Sequence, residues 1–316
     1  MTRRVQNSYK KEKSKLLTFA GYLVRMALPD LSKINHYFSL VKINHTIFSL
    51  PFALIGFTLG AKSNGENLNL RLLVIVILCV LFARNAAMGF NRYVDREFDK
   101  KNPRTALREI PREIIHPRSA LLFVIINAIL FMLAASFLNL LCLMLSPVAL
   151  LVVLGYSLTK RFTSLSHLFL GLGLALAPIG AYLAITARFD ALPLLYSFTV
   201  LFWVSGFDIL YALQDIDFDK SQNLKSIPVL LGRKNALVLS AILHLIAITI
   251  IVVAGFTGHF NYLYWIGAAI FSLILVYEHL IVRPDDISRV NLAFGTMNGV
   301  ASVIFAVFVI ADILHF

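Results

Sequence analysis

Asp95 and Asp99 stand four residues apart, and so do Asp215 and Asp219. On a helix that spacing puts both carboxylates of a pair on one face. Asn91 and Tyr211 extend the two faces by one turn each. Like charges stacked this way repel unless a cation lies between them. A donor set of oxygens without cysteine or histidine suits a hard ion, and Mg²⁺ binds a few carboxylates together with phosphate oxygens and water. Asn91, Asp95, Asp99, Asp215 and Asp219 are therefore candidate Mg²⁺ ligands. Arg104, Arg108 and Arg112 follow the first pair, Lys225 follows the second, and Lys160 and Arg161 lie between them in the chain. So many cations beside a metal site point to a polyanionic ligand, and diphosphate fits best. Arg104, Lys160, Arg161 and Lys225 are the candidate groups for holding it.

The elements that must position these residues are apolar. Of 316 residues, 59% are hydrophobic and only 15% charged, with a mean hydropathy of +0.78; an average globular domain is about 25% charged. Too little polar surface is left to cover soluble cores, so the solvent is lipid. Cys79 and Cys142 both lie in apolar runs, which excludes a disulfide scaffold and a cysteine zinc site. A helix needs about 20 apolar residues to cross roughly 30 Å of hydrocarbon. Segments of that kind fall at 43–61, 70–91, 119–138, 140–158, 167–185, 193–213, 236–255, 261–281 and 291–313. The expected fold is an all-α, multi-pass bundle of about nine helices. Five loops on one side carry 25 of the 29 lysines and arginines. The net charge of +12 thus reads as a topology signal rather than a nucleic-acid surface, with the N-terminus cytoplasmic and the C-terminus outside the inner membrane. Residues 1–33 read as a basic cytoplasmic or interfacial segment without the features of a signal peptide, and 34–316 as the membrane domain. Phe19 to Leu28 suggest an interfacial amphipathic helix.

Shifting the chain by 120 residues superposes Asp95, Phe98, Asp99 and Lys100 on Asp215, Phe218, Asp219 and Lys220. Four helices separate the copies, so both motifs have the same orientation, as in a parallel duplication of a four-helix unit. The two motifs are expected to face one another across a central cavity, capped by the 92–118 and 214–235 loops. Arg84 lies seven residues before Asn91, and Asp208 seven before Asp215, both about two turns into the membrane. An intramembrane charge is expensive and is a functional candidate by default. Pro51, Pro147 and Pro178 are expected to kink their helices. Glu278 reads as an interfacial partner of Arg283, while His167, His244 and His279 occupy unusual positions without an assigned role. A transporter is the competing class, since a helical repeat with intramembrane charges fits one; acidic motifs at helix ends beside basic loops favour an enzyme.

These residues resemble a family. Asn91-x-x-x-Asp95-x-x-x-Asp99 with Arg104-Thr105 is similar to the first aspartate-rich motif of the UbiA-type intramembrane prenyltransferases. Tyr211-x-x-x-Asp215-x-x-x-Asp219 with Lys225-Ser226 is similar to their second, and Tyr156-Ser-Leu-Thr-Lys160-Arg161 to their short basic motif. Arg84 matches an arginine upstream of the first motif. Lys42-x-x-His45-Thr-x-Phe-x-Leu-Pro51 resembles the first helix of the 4-hydroxybenzoate polyprenyltransferase-like branch. One departure is Arg92, where many members carry aspartate after the motif asparagine. The resemblance covers roughly 34–313. It implies a prenyl diphosphate held through Mg²⁺ between the motifs, with its tail in a groove open to the lipid bilayer. Loss of diphosphate would leave an allylic cation, which aromatic rings stabilise; Tyr156 and Tyr211 are the candidates. The implied acceptor is an aromatic acid, 4-hydroxybenzoate first and 1,4-dihydroxy-6-naphthoate as the alternative, leading to ubiquinone or menaquinone. Its carboxylate would be drawn to Arg84, Lys42 and Lys160, with His45 orienting it. No nucleic acid and no obligatory protein partner are implied.

Overall fold

The computed structural model describes residues 31–65 and 68–316, and every regular element among them is helical. The segment Phe19 to Leu28 lies outside the described residues. Helix α1 (Leu31–Leu40) and a 3-10 turn (Ile43–Phe48) precede α2 (Leu50–Ser63). Then come α3 (Leu70–Val94), α4 (Arg96–Lys101), α5 (Pro117–Ser136), α6 (Leu140–Thr159), α7 (Ser166–Thr186) and α8 (Ala191–Ala212). A second 3-10 turn (Leu213–Asp215) leads into α9 (Ile216–Ser221). The described chain continues with α10 (Ile227–Thr257), α11 (Tyr262–Ile281), a π-helical turn (Leu292–Met297) and α12 (Asn298–His315). Eight of the described helices are long and apolar enough to cross a membrane. Leu122, Ile129, Met144 and Leu151 leave large apolar side chains exposed on the outside of α5 and α6, as a lipid-facing surface requires. The chain is a multi-pass membrane protein.

The first expected span is the exception. Residues 43–61 do not form one helix: a 3-10 turn ends at Phe48, and the 14-residue α2 starts at Leu50. Pro51 has no amide hydrogen to donate and its ring fits only the first turn, so it starts a helix instead of kinking one. Fourteen residues rise about 21 Å, short of the roughly 30 Å of hydrocarbon. Pro147 and Pro178 lie inside α6 and α7. The 214–235 stretch, expected as loop, contains α9 and the first nine residues of α10, and Gly232 breaks α10 at φ 74°. That backbone conformation is open mainly to glycine.

The bundle has two parts that share α7. Helices α3, α5 and α6 pack on one another and α6 packs on α7, leaving a space between them; α8 packs on α7 and α10, and α2, α11 and α12 complete the second part. The second part is filled by aromatic rings. Phe52, Phe207 and Phe271 surround Trp203 at centroid distances of 5.4, 5.2 and 5.5 Å. Between helices in lipid there is little hydrophobic drive, and close packing with hydrogen bonds does the holding. Accordingly, α7 meets both neighbours backbone to backbone. A Cβ on Gly56 would fall 2.0 Å from the Pro178 carbonyl oxygen, and one on Gly171 would fall 2.4 Å from that of Leu201. Gly56→Ala and Gly171→Ala should each destabilise the bundle by about 1–3 kcal/mol through overpacking, seen as a lower Tm in detergent. Gly155→Ala, whose Cβ would meet nothing within 4 Å, should leave Tm unchanged; equal effects at all three positions would contradict this packing.

Candidate active site

Both acidic motifs sit where a membrane helix breaks. Helix α3 ends at Val94 and Asp95 leaves helical geometry at φ −90°, ψ 6°, after which α4 begins. Asp215 does the same at φ −104°, ψ 4°, between a 3-10 turn and α9. The expected continuous helical face for each pair is therefore corrected. A helix C-terminus repels a carboxylate, whereas a fresh N-terminus attracts one. Breaking the helix at the first aspartate places Asp99 and Asp219 in the opening turns of new six-residue helices. The same break 120 residues apart is the structural trace of the repeat.

Each carboxylate then acquires its own cation. Arg161 lies 3.6 Å from Asp95 and Arg108 lies 2.7 Å from Asp99. Lys160 lies 3.5 Å from Asp219. Arg104 grips Asp215 in a two-pronged contact, with Nε 2.9 Å from Oδ1 and Nη2 2.6 Å from Oδ2, while its Nη1 donates to the Tyr211 hydroxyl at 2.8 Å. Asn102 adds a bond to Asp215 Oδ1 at 3.2 Å. Helices α3 and α8 both pack on α2 and α7, and the segment after α4 bridges their ends. That segment is anchored by a small apolar cluster of Leu40, Ile110, Ile115 and Ala120, and from it Asn102 and Arg104 reach across to the second motif. Behind the cations, Asn91 donates to Asp95 at 3.1 Å.

The electrostatics follow from this crowding. Burial pushes the Asp95 carboxyl up to about 6, and neighbouring Asp99 pushes the same way against Lys160 and Arg161. Burial works to lower the Lys160 pKa, but the summed field of Asp219, Asp208, Asp215 and Asp95 raises it. Asp99 Oδ2 is buried with no hydrogen-bond partner, an acceptor left open for a cation. Among the described residues, no group of three or more His, Cys, Asp or Glu is gathered tightly enough to hold a metal alone. The donor set fits Mg²⁺ that completes its shell with ligand oxygens and water.

Below the motifs lies a cavity of about 330 Å³, lined by α3, α5, α6 and α7 and almost wholly apolar. Arg84 and Tyr156 line it together, and Arg84 Nε is buried without a partner. Val148 and Phe189 line it and are each more than half exposed, so the bundle does not seal it. Tyr211 is outside this cavity; it stacks on Phe294 of the π-helical turn with centroids 4.1 Å apart. Asp208 pairs with the fully buried His167 at 2.7 Å. Lys225 donates to the Phe162 carbonyl at 3.1 Å and its amide bonds Lys160 O at 2.7 Å, which ties the second motif to the basic one without touching a carboxylate. Lys42 is exposed in a left-handed turn before the 3-10 segment. His45 lies in that segment, and its side chain is outside the described residues.

Three partners of the acidic groups were not assigned from the sequence. Asn102 and His167 are direct partners of candidate aspartates, and Arg108 was only one of several nearby cations. An aspartate two turns inside the membrane did signal that some partner must exist; which one was not visible. Arg92 is buried near Arg108, Asp99, Tyr156 and Glu109. Glu278 is not an interfacial partner of Arg283: it is wholly buried, since α11 turns it inward, and Arg283 instead exchanges backbone bonds with Asp286. His244 bonds the Trp203 carbonyl at 3.2 Å and His279 at 3.0 Å.

The model of the UbiA prenyltransferase family matches residues 49–305. A 4-hydroxybenzoate octaprenyltransferase of Aeromonas hydrophila is 30% identical over 235 residues, covering 74% of this chain and 81% of the relative. One from Photobacterium profundum is 29% identical over 238 residues, covering 75% and 82%. The apo structure of a UbiA homolog from Aeropyrum pernix superposes with a TM-score of 0.77 at 32% identity, covering 85% of this chain and 98% of that one. A UbiA homolog from Archaeoglobus fulgidus bound to DMAPP and Mg²⁺ shares the fold, with a TM-score of 0.69 at 20% identity over 89% and 99% of the two chains. With two broken acidic helices above an apolar cavity and a family match across most of its length, the chain belongs to the UbiA prenyltransferase family.

Proposed function

We propose that the protein transfers a polyprenyl group from its diphosphate to an aromatic acid, 4-hydroxybenzoate as the leading candidate, in quinone biosynthesis. The observation that carries this reading is the pairing of four carboxylates with four cations at the mouth of an apolar, unsealed cavity headed by Arg84. Asp95, Asp99, Asp215 and Asp219, with Asn91, would hold Mg²⁺, and Arg104, Arg108, Lys160 and Arg161 would hold the phosphate oxygens. Bound Mg²⁺ would neutralise charge on the departing diphosphate and so favour heterolysis. The names of the relatives and the Mg²⁺ complex of the Archaeoglobus fulgidus protein point the same way.

The prenyl tail lies in the cavity, where the apolar wall excludes water that would capture the allylic cation. Tyr156 lines the cavity and is the ring placed to stabilise the cation, while Tyr211, stacked on Phe294 and bonded by Arg104, acts from the diphosphate side. An acceptor carboxylate is drawn by Arg84, Lys42 and Lys160, which a neutral ring would not exploit. We place the acidic motifs and the N-terminus on the cytoplasmic side of the inner membrane, following the lysine and arginine bias.

The test is one assay: purified protein in detergent, Mg²⁺, a long prenyl diphosphate, and a panel holding 4-hydroxybenzoate, 1,4-dihydroxy-6-naphthoate and neutral dihydroxyarenes, read by mass spectrometry. Prenylation of 4-hydroxybenzoate is expected. Preference for 1,4-dihydroxy-6-naphthoate moves the enzyme to menaquinone synthesis, and preference for a neutral ring refutes the carboxylate argument. Arg161→Ala should raise the KM for the diphosphate about tenfold or more, as expected for losing one charge-assisted contact of about 1.5–3 kcal/mol. An unchanged KM would exclude Arg161 from the phosphate site.

A further inference from the structure

Nothing in the reaction outlined above uses the pair formed by His167 and Asp208. We propose that Asp208, held by His167, takes the proton that the acceptor ring loses after the new carbon–carbon bond forms. The proposal rests on the aromatic-acceptor reading and adds the base which that reading lacks.

The placement comes first. Asp208 and Tyr211 lie three residues apart on α8 and so share one face, and Asp215 closes the 3-10 turn that follows that helix. Asp208 is about 10 Å deeper than Asp215 by helix rise. It lies close enough to Lys160 to contribute to the field on that ammonium group, together with Asp95, Asp215 and Asp219. On α7, His167 falls on the same stripe as Leu170 and Leu174, which line the tail cavity. The pair therefore stands between the diphosphate motifs above and the tail cavity below, where the ring must meet the cation.

The hydrogen bonding then assigns the roles. His167 Nδ1 lies 2.7 Å from Asp208 Oδ2, while His167 Nε2 is buried with no partner. A bare nitrogen in apolar surroundings is cheaper than a buried N–H left unpaired. The tautomer that fits this bonding carries its hydrogen on Nδ1 and donates it to Asp208. The Ser205 hydroxyl holds the His167 carbonyl at 3.2 Å, which fixes the start of α7 against α8. Asp208 keeps 21% of its side chain exposed while His167 has none exposed. One carboxylate oxygen is thus committed to positioning, and Oδ1 remains for chemistry.

The step balances. The prenyl carbon–oxygen bond breaks with its electron pair leaving on diphosphate. A π pair of the ring forms the carbon–carbon bond, and the ring becomes a cation bearing one hydrogen on the alkylated carbon. That C–H pair returns to the ring, and the proton passes to Asp208 Oδ1. His167 keeps its Nδ1 hydrogen throughout; it is a positioning residue, and Asp208 is the catalytic one.

The experiment compares 4-hydroxybenzoate with its form deuterated beside the hydroxyl, using full-length protein in detergent with Mg²⁺ and a long prenyl diphosphate. For the natural sequence, bond formation is slow and proton loss fast, so the two acceptors should react at equal rates. Asp208→Asn should slow product formation by about 10²-fold or more, the usual loss on removing a general base, and a primary deuterium isotope effect should appear. His167→Ala should show the same isotope effect with unchanged KM for both substrates, and His167→Gln, which retains an N–H donor, should restore part of kcat. If Asp208→Asn does not fold, His167→Ala carries the test alone. A slow Asp208→Asn or His167→Ala enzyme without an isotope effect would overturn the proton role while leaving the prenyltransferase reading intact. Failure of the natural protein to prenylate any aromatic acid would overturn both.

Discussion

Asp95→Asn and Asp215→Asn should each reduce turnover by about 10³-fold, the scale reached when one electrostatic group is removed from a centre where charge develops. The two substitutions keep size and hydrogen-bonding shape but delete one negative charge. At Asp95 the lost carboxylate faces Arg161 at 3.6 Å and Asn91 at 3.1 Å. At Asp215 it is the anchor for the two-pronged Arg104 contact and for Asn102. The bundle should survive both changes, since the helices meet through α2, α7 and the aromatic core rather than through these side chains. Asp215→Asn should cost more stability than Asp95→Asn, because it strands a closely bound guanidinium. Turnover at saturating Mg²⁺, together with Tm, checks the claim. Near-normal activity in both variants would refute the metal role.

Arg84→Ala should lower turnover by about 10²-fold with no loss of Tm, and its Tm should even rise. Arg84 lines the head of the cavity and its Nε is buried without a partner. A buried N–H donor left without an acceptor costs stability, although the rest of the half-buried Arg84 side chain faces the cavity. Such a residue persists where a ligand supplies the missing anion. The opposite pattern, normal turnover with a large fall in Tm, would make Arg84 a structural residue.

Several of these features were legible in the sequence because they are local or compositional. The recurrence of carboxylates at intervals of four, the apolar runs and the skew of lysine and arginine each depend only on neighbours along the chain. They were enough to place the acidic motifs at helix ends on one side, to identify Arg84 and Asp208 as charges inside the membrane, and to relate the two motifs by a shift of 120 residues. The same local logic failed where two local rules compete. Interval-four spacing suggested that each aspartate pair shares one helical face, but helix ends act on carboxylates and the backbone breaks at Asp95 and Asp215. Apolar composition suggested a full first span over 43–61, but Pro51 sets a helix start within it.

Only the tertiary structure decided which charge meets which. Arg104 and Asp215 are 111 residues apart, Lys160 and Asp219 are 59 apart, and His167 and Asp208 are 41 apart. No periodicity carries such information, because a cation's partner is chosen by the path of the segment after α4 and by the close contact of α7 with α8. The burial of Glu278 is likewise set by how α11 turns in the bundle. Sequence alone determined that this is a helical membrane protein with two equivalent acidic motifs, since periodicity and hydropathy act residue by residue. Packing decided that those motifs become a single charge-paired site above an unsealed apolar cavity, since distances between helices exist only once the helices have met.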